Sequence, residues 1–263
     1  MPFRFLLSLF IIFSLVSCAN SPTGRRQLIL VGDAQMAELG AASFAQMKQQ
    51  SQPLHDPAIT AYVDCVSNAV LKAAGENPSV WEIQVFNDKT PNAFALPGRK
   101  IGVHTGMLTV AQTPGQLATV IGHEIGHVEA KHGAERMSLN MTAQMIQQVA
   151  ATGLQNNEHG QAIMAALGVG SQLGVLLPYS RIHESEADYI GLILMAKAGF
   201  DPQESIQLWL NMMKAGGGNP PEFLSTHPSD QTRIAKLAGK MPEANAIYQR
   251  VKSRGVGPQC KRP

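Results

Sequence analysis

The chain has 263 residues, enough for a sizeable core in one large domain or two small ones, so disorder is excluded as its basic state. With 44% hydrophobic residues, 15% charged residues and a formal net charge of +2, it has neither the basic footprint of a nucleic-acid binder nor an acidic tail. The cysteines, Cys18, Cys65 and Cys260, are odd in number, and a simple disulfide framework leaves one over.

In chain order, Arg4 and the apolar run from Phe5 to Val16 come first. The run is too short to cross a bilayer and reads as the core of a signal peptide covering residues 1–17. Residues 18–26 read as a polar tether and 27–31 as a short edge strand. Asp33 is placed to cap a helix reaching about Gln49. Asp56 and Pro57 open a second helix, in which Tyr62, Val63, Val66, Val70 and Leu71 recur at helical spacing. Alternation from Trp81 to Phe86, and the segments 94–96 and 100–103, predict three short strands, the last two joined by a turn at Pro97 and Gly98. Beyond them the pattern is helical over 113–131, 134–154, 161–177, 180–198, 201–215, 230–240 and 242–254, with Gly199 and Gly255 where C-terminal caps belong. The stripe of Met137, Met141, Met145 and Met164 reads as core before binding surface, while its place between two helices that carry His and Glu clusters suggests a lid or wall beside a cleft. The resulting division is 27–254 as one domain and 255–263 as a tail.

The chemistry is concentrated in two of these helices. In the segment 119–128, His123 and His127 are four apart, so both imidazoles lie on one helical face and can reach one ion, with Glu124 beside it. Val120, Ile121, Ile125 and Val128 make this a buried helix, where clustered ionisable groups are costly without a metal or mutual pairing. A catalytic zinc takes three protein ligands, so a third must come from elsewhere. Glu184 and Asp188, also four apart, supply a candidate ligand and a hydrogen-bond acceptor for the far nitrogen of a ligand histidine. Glu186 points about 160° to 200° away from that pair and is a poor ligand.

His123-Glu124-x-x-His127 followed by Glu184-x-x-x-Asp188 resembles metallopeptidase family 48, of the HtpX-like and CAAX prenyl endopeptidase type. Two further segments are similar to the family's pattern: 91–98 with 101–108, and Phe223 to Pro228 with Arg233. The resemblance implies an α+β, mostly helical, zincin-like (gluzincin) fold with a small sheet beside the motif helix. It implies one zinc per chain, held by His123, His127 and Glu184, with Glu124 as general base and proton donor. Asn92, Ala93, Phe94 and Ala95 would form the edge on which a substrate strand pairs through its main chain. His227 would act as oxyanion donor or as a reversible fourth ligand that keeps the enzyme latent, with Gly216 to Gly218 lending the loop freedom; packing in a His-Pro turn is its bland alternative.

The run ending in Leu15-Val16-Ser17-Cys18 resembles a bacterial lipobox, in which the cysteine is acylated, and Ala19 after it points to the outer membrane. The expected protein is therefore a lipid-anchored lipoprotein on the periplasmic side of a Gram-negative outer membrane, engaged in envelope protein quality control. Its expected partners are unfolded or misassembled envelope proteins and outer-membrane assembly machinery, with no nucleic acid. The alternative is a chaperone or assembly factor that uses the same cleft with little or no proteolysis. Assigning Cys18 to lipid leaves Cys65 and Cys260, which an oxidising compartment would allow to pair.

Overall fold

A computed structural model describes residues 18–155, 157, 159–171, 177–215, 223, 227, 232–255 and 257–263. It is mostly helical, with two small sheets, and falls into two compact units: the N-terminal residues to Met36 with Glu129–Arg181, and Ala37–Val128 with Ile182–Pro263.

In the first unit, β1 (Cys18–Asn20) pairs antiparallel with β2 (Arg26–Leu28). Residues 18–26, expected as a polar tether, hold the first strand and the turn of this hairpin and enter its second strand. The turn closes because Ser21 N–H donates to Arg25 O and Gly24 N–H to Ser21 O, at 2.8 and 2.9 Å, a pattern that polar composition alone does not reveal. Arg25 then grips the buried Glu135 through two nitrogens at 2.7 Å each, and Gln27 donates to the same carboxylate at 2.9 Å. That fork supplies the charge-assisted bonds a buried carboxylate requires. Val31, Met36 and Ala134 form the unit's small apolar core, with Ile29 and Met137 against it.

The long helices here are α5 (His132–Gly153) and α6 (Gly160–Ser171). Met141 and Met145 of α5 are exposed, Met145 at 71%, together with Ile146 and Val149. The expected methionine core is therefore absent along this stretch of α5. Periodicity identifies an apolar stripe but not what covers it.

α1 (Asp33–Gln50) belongs to the first unit as far as Met36 and to the second from Ala37 on, where α2 (Pro57–Ala73) follows it. Asp56 caps α2 by accepting from Ala58 and Ile59 N–H at 3.0 and 3.1 Å. Val63, Val66 and Val70 line its buried face. A three-stranded sheet follows in the order β3 (Glu82–Phe86), β5 (Lys100–His104), β4 (Ala93–Leu96). β3 runs parallel to β5, β4 runs antiparallel to it, and among the described residues β4 has no strand on its other side. The short α3 (Thr105–Val110) leads into α4 (Pro114–Glu129), and α7 (Leu177–Lys197), α8 (Gln203–Ala215) and α9 (Arg233–Lys252) complete the unit. Gly199, at φ +88°, ends α7 in the left-handed conformation expected of a cap.

α9 corrects the expected break before Pro242. Proline removes one backbone donor, but Leu237, Met241 and Ala244 are buried on one face to either side of it. Continuous packing of that face outweighs the lost hydrogen bond.

Cys65 of α2 is joined to Cys260 across 195 positions of sequence, and Arg262 donates to Gln112 O and Leu108 O at 2.6 and 2.8 Å. The C-terminal tail is thus stapled to α2 and laid against the segment that enters α4. Replacing both cysteines by serine is expected to lower stability by about 3–5 kcal/mol, because so long a loop would no longer be closed in the unfolded chain. Chemical denaturation measures this, and an unchanged midpoint would leave the tail's placement to Arg262 alone.

Candidate metal centre

α4 is buried over most of its length and carries His123, Glu124 and His127, with His123 only 1% and Glu124 only 4% exposed. Facing it is α7, which carries Glu184 and Asp188. The two helices meet at glycine: a Cβ on Gly191 would lie 2.7 Å from His123 N, and one on Gly122 would lie 2.9 Å from Gly191 O. This absence of side chains lets the backbones approach, which brings the carboxylates of α7 to the imidazoles of α4.

Ligand-capable atoms of His123, His127, Glu184 and His227 all lie within 4.8 Å of one another. Glu184 Oε2 is 3.3 Å from His123 Nε2, and Glu184 Oε1 is 3.4 Å from His127 Nε2 and 3.2 Å from His227 Nδ1. The structure thus brings together the three residues expected as ligands and His227, the expected oxyanion donor or fourth ligand. Glu186 is buried but stands outside this cluster.

Behind the cluster, Asp188 Oδ1 is 3.0 Å from His123 Nδ1, leaving Nε2 to face the other donors. Arg233 Nε and Nη2 reach the two oxygens of Asp188 at 2.6 Å each. The Phe223 ring stacks on His227, with centroids 4.6 Å apart. In the sequence Arg233 is visible only as a neighbour of the His-Pro segment. Trp209, which packs on Arg233, gives no signal there beyond that of one more core aromatic on an amphipathic helix.

Glu124 sits beside the cluster. Its Oε2 accepts from Ala95 N–H of β4 at 3.3 Å. Its Oε1 is 3.4 Å from His227 Nε2 and accepts no hydrogen bond among the described residues. Of the proposed substrate edge, Ala93, Phe94 and Ala95 lie in β4, and Asn92 precedes it, its carbonyl accepting from His104 N–H at 3.0 Å.

The electrostatics follow from crowding these groups out of water. Burial pushes the Glu124 carboxyl up, against the pull of His227 and His123. Burial alone would drive the proton from His123, but Asp188 and Glu184 outweigh it and hold the imidazole up at about 9. His127 is driven well below the ordinary histidine value by burial, which Glu184 only partly offsets. Burial opposes the Glu184 carboxylate, yet the surrounding imidazoles hold it far below the usual range. For Asp188, the Arg233 charge and the His123 bond likewise overcome burial and keep the carboxylate ionised.

The donor set suits zinc: imidazole nitrogens and one carboxylate from two apposed helices, within reach of a single small cation. With Nδ1 fixed by Asp188, His123 turns Nε2 toward the other donors, where a bound metal would take the place of the proton.

The sequence matches peptidase family M48 over residues 57–241. It is 41% identical over 187 residues to the mitochondrial metalloendopeptidase OMA1 of Schizosaccharomyces pombe, covering 70% of this chain and 54% of that protein. It is 32% identical to the mitochondrial metalloendopeptidase OMA1 of Bos taurus, covering 92% and 49%. With the beta-barrel assembly-enhancing protease of Escherichia coli the identity is 26%, covering 76% and 42%. The chain spans about half the length of these relatives.

The higher identities to mitochondrial proteins overturn the expected location, a lipid-anchored position on the periplasmic side of a Gram-negative outer membrane. A basic residue before a short apolar run carries targeting character without specifying the membrane addressed. The side chain of Cys18 lies outside the described residues, as do the expected helix end at 172–176 and the Gly216–Gly218 loop.

Proposed function

The chain belongs to peptidase family M48, and from that membership and the geometry of the cluster we propose that it is a zinc-dependent endopeptidase acting on misfolded or misassembled proteins in protein quality control. The observation that carries this reading is the convergence of His123, His127 and Glu184 beside the buried carboxylate of Glu124. His123, His127 and Glu184 would hold one zinc. A zinc ion there would supply Lewis acidity toward a scissile carbonyl and lower the pKa of water.

The remaining work falls to the chain's own groups. Glu124, its basicity raised by burial, takes a proton from the attacking water and returns it to the leaving amine. Asp188 and Arg233 keep the His123 ring aimed at the cluster. β4 offers an edge on which an extended substrate can pair through its main chain, and such pairing reads little of the side-chain sequence. That indifference supports unfolded chains as the substrate class. The bond from Ala95 N–H to Glu124 Oε2 sets this edge directly beside the general base.

His227 is read as a latch. Its Nδ1 stands 3.2 Å from His123 Nε2 and 3.2 Å from Glu184 Oε1, among the donor atoms themselves. His227→Ala is therefore expected to raise turnover severalfold; a loss of turnover would assign the residue to the oxyanion instead.

Casein degradation by the purified protein tests the reading as a whole. A zinc chelator is expected to abolish it and added zinc to restore it. No cleavage by the zinc-loaded protein, with or without His227→Ala, would favour a chaperone or assembly factor.

A further inference from the structure

We propose that Trp209 is a positioning residue of the metal centre: its indole holds the Arg233 guanidinium, which fixes Asp188 and, through it, the ring of His123. Arg233 is buried, its Nη2 donates to Asp188 Oδ1 at 2.6 Å and stands 3.2 Å from His123 Nδ1, and its Nε lies within ion-pair distance of Asp188 Oδ2. One hydrogen bond and the ion pair beside it hold the guanidinium along one edge and leave its faces to whatever packs on them. The Trp209 ring lies on one face, with the guanidinium carbon 3.5 Å from its centroid. Both residues are shielded from water, the setting in which cation–π attraction is strongest. The Trp209 ring is also 6.1 Å from that of His123, edge to face at 73°.

The contacts therefore close into a circle, from His123 to Asp188, Arg233, Trp209 and back to His123, with one member from each of α4, α7, α9 and α8. The position of α8 in this circle is itself set: Gln116 Nε2, near the start of α4, donates to Glu204 Oε2 of α8 at 3.0 Å. Trp209 is thus held at a fixed height along the helix that carries His123. Orientation of a ligand imidazole depends on the partner of its far nitrogen. Asp188 can rotate about its own side-chain bonds unless Arg233 holds it, and the guanidinium can tilt out of the carboxylate's plane unless a face is covered. Trp209 covers that face.

The proposal rests on the peptidase reading, and the test separates the two. Zinc affinity by chelator competition, kcat and KM at saturating zinc, and Tm are measured for the wild type, Trp209→Leu, Trp209→Phe and Arg233→Lys. Trp209→Leu keeps apolar bulk without an aromatic face. It is expected to weaken zinc binding about 10- to 100-fold and to lower kcat with KM unchanged. Trp209→Phe is expected to recover most of both, and Arg233→Lys, which has no planar group to lie on the indole, to behave like Trp209→Leu. Equal zinc affinity and kcat in the Leu and Phe variants would overturn the proposal, whatever their Tm. If Trp209→Leu does not fold, unchanged zinc affinity in Arg233→Lys overturns it instead. A wild type that binds no zinc removes the peptidase reading and this proposal together, whereas a zinc-loaded, active wild type with unperturbed variants removes only the proposal.

Discussion

Glu124→Gln is expected to lower turnover by a factor of about 10² to 10⁴ while leaving zinc content unchanged. That factor corresponds to about 3–5 kcal/mol of transition-state stabilisation. The substitution is close to isosteric. The amide oxygen can still accept from Ala95 N–H, where Glu124 Oε2 now does so at 3.3 Å. The amide cannot take a proton from water at neutral pH, and that is the step assigned to this residue. Zinc content is expected to hold because Glu124 is outside the four-residue donor cluster of His123, His127, Glu184 and His227. Rates of casein or peptide cleavage, with metal content measured on the same preparation, give both numbers. Cleavage at the wild-type rate would mean that water is activated elsewhere. Loss of zinc along with activity would mean that Glu124 is part of the binding set.

Local chemistry explains why so much of this centre is legible in the residues. A four-residue spacing on a helix places side chains on one face whatever the tertiary context. The spacing alone therefore pairs His123 with His127 on α4 and Glu184 with Asp188 on α7, and the Asp56-Pro57 step likewise marks the start of α2. The contacts between helices are less legible. Trp209 looks like any other core aromatic until Arg233 is seen on its face. The exposure of Met141 and Met145 escapes the sequence for a related reason: spacing marks a stripe, and only packing decides what covers it. α9 passes Pro242 unbroken because the burial on both sides of it is tertiary. Compartment is misread because a short apolar leader with a cysteine carries so little that is specific to one membrane.

The approach of α4 to α7 gives the sharpest structural prediction. A single methyl at Gly191 would meet His123 N at 2.7 Å and Gly122 C at 2.8 Å. These are backbone atoms of a buried helix and cannot swing aside as a flexible side chain would. The helices must part by several tenths of an ångström, and α7 carries both Glu184 and Asp188. Glu184 is 3.3 Å from His123 Nε2 and Asp188 is 3.0 Å from His123 Nδ1, so the ligand set and its support would separate together. Gly191→Ala is therefore expected to cost about 1–3 kcal/mol of stability by overpacking and to weaken zinc binding sharply. Gly239→Ala on α9 is the matched control, since a Cβ there meets nothing within 4 Å. It is expected to leave zinc affinity unchanged and to stabilise the helix by about 0.5–1 kcal/mol. Chemical denaturation and chelator competition on both variants separate a general response to the added methyl from the close contact itself. If Gly191→Ala kept wild-type stability and zinc affinity, the two helices would not be set by their glycines, and the placement of Glu184 would need another cause.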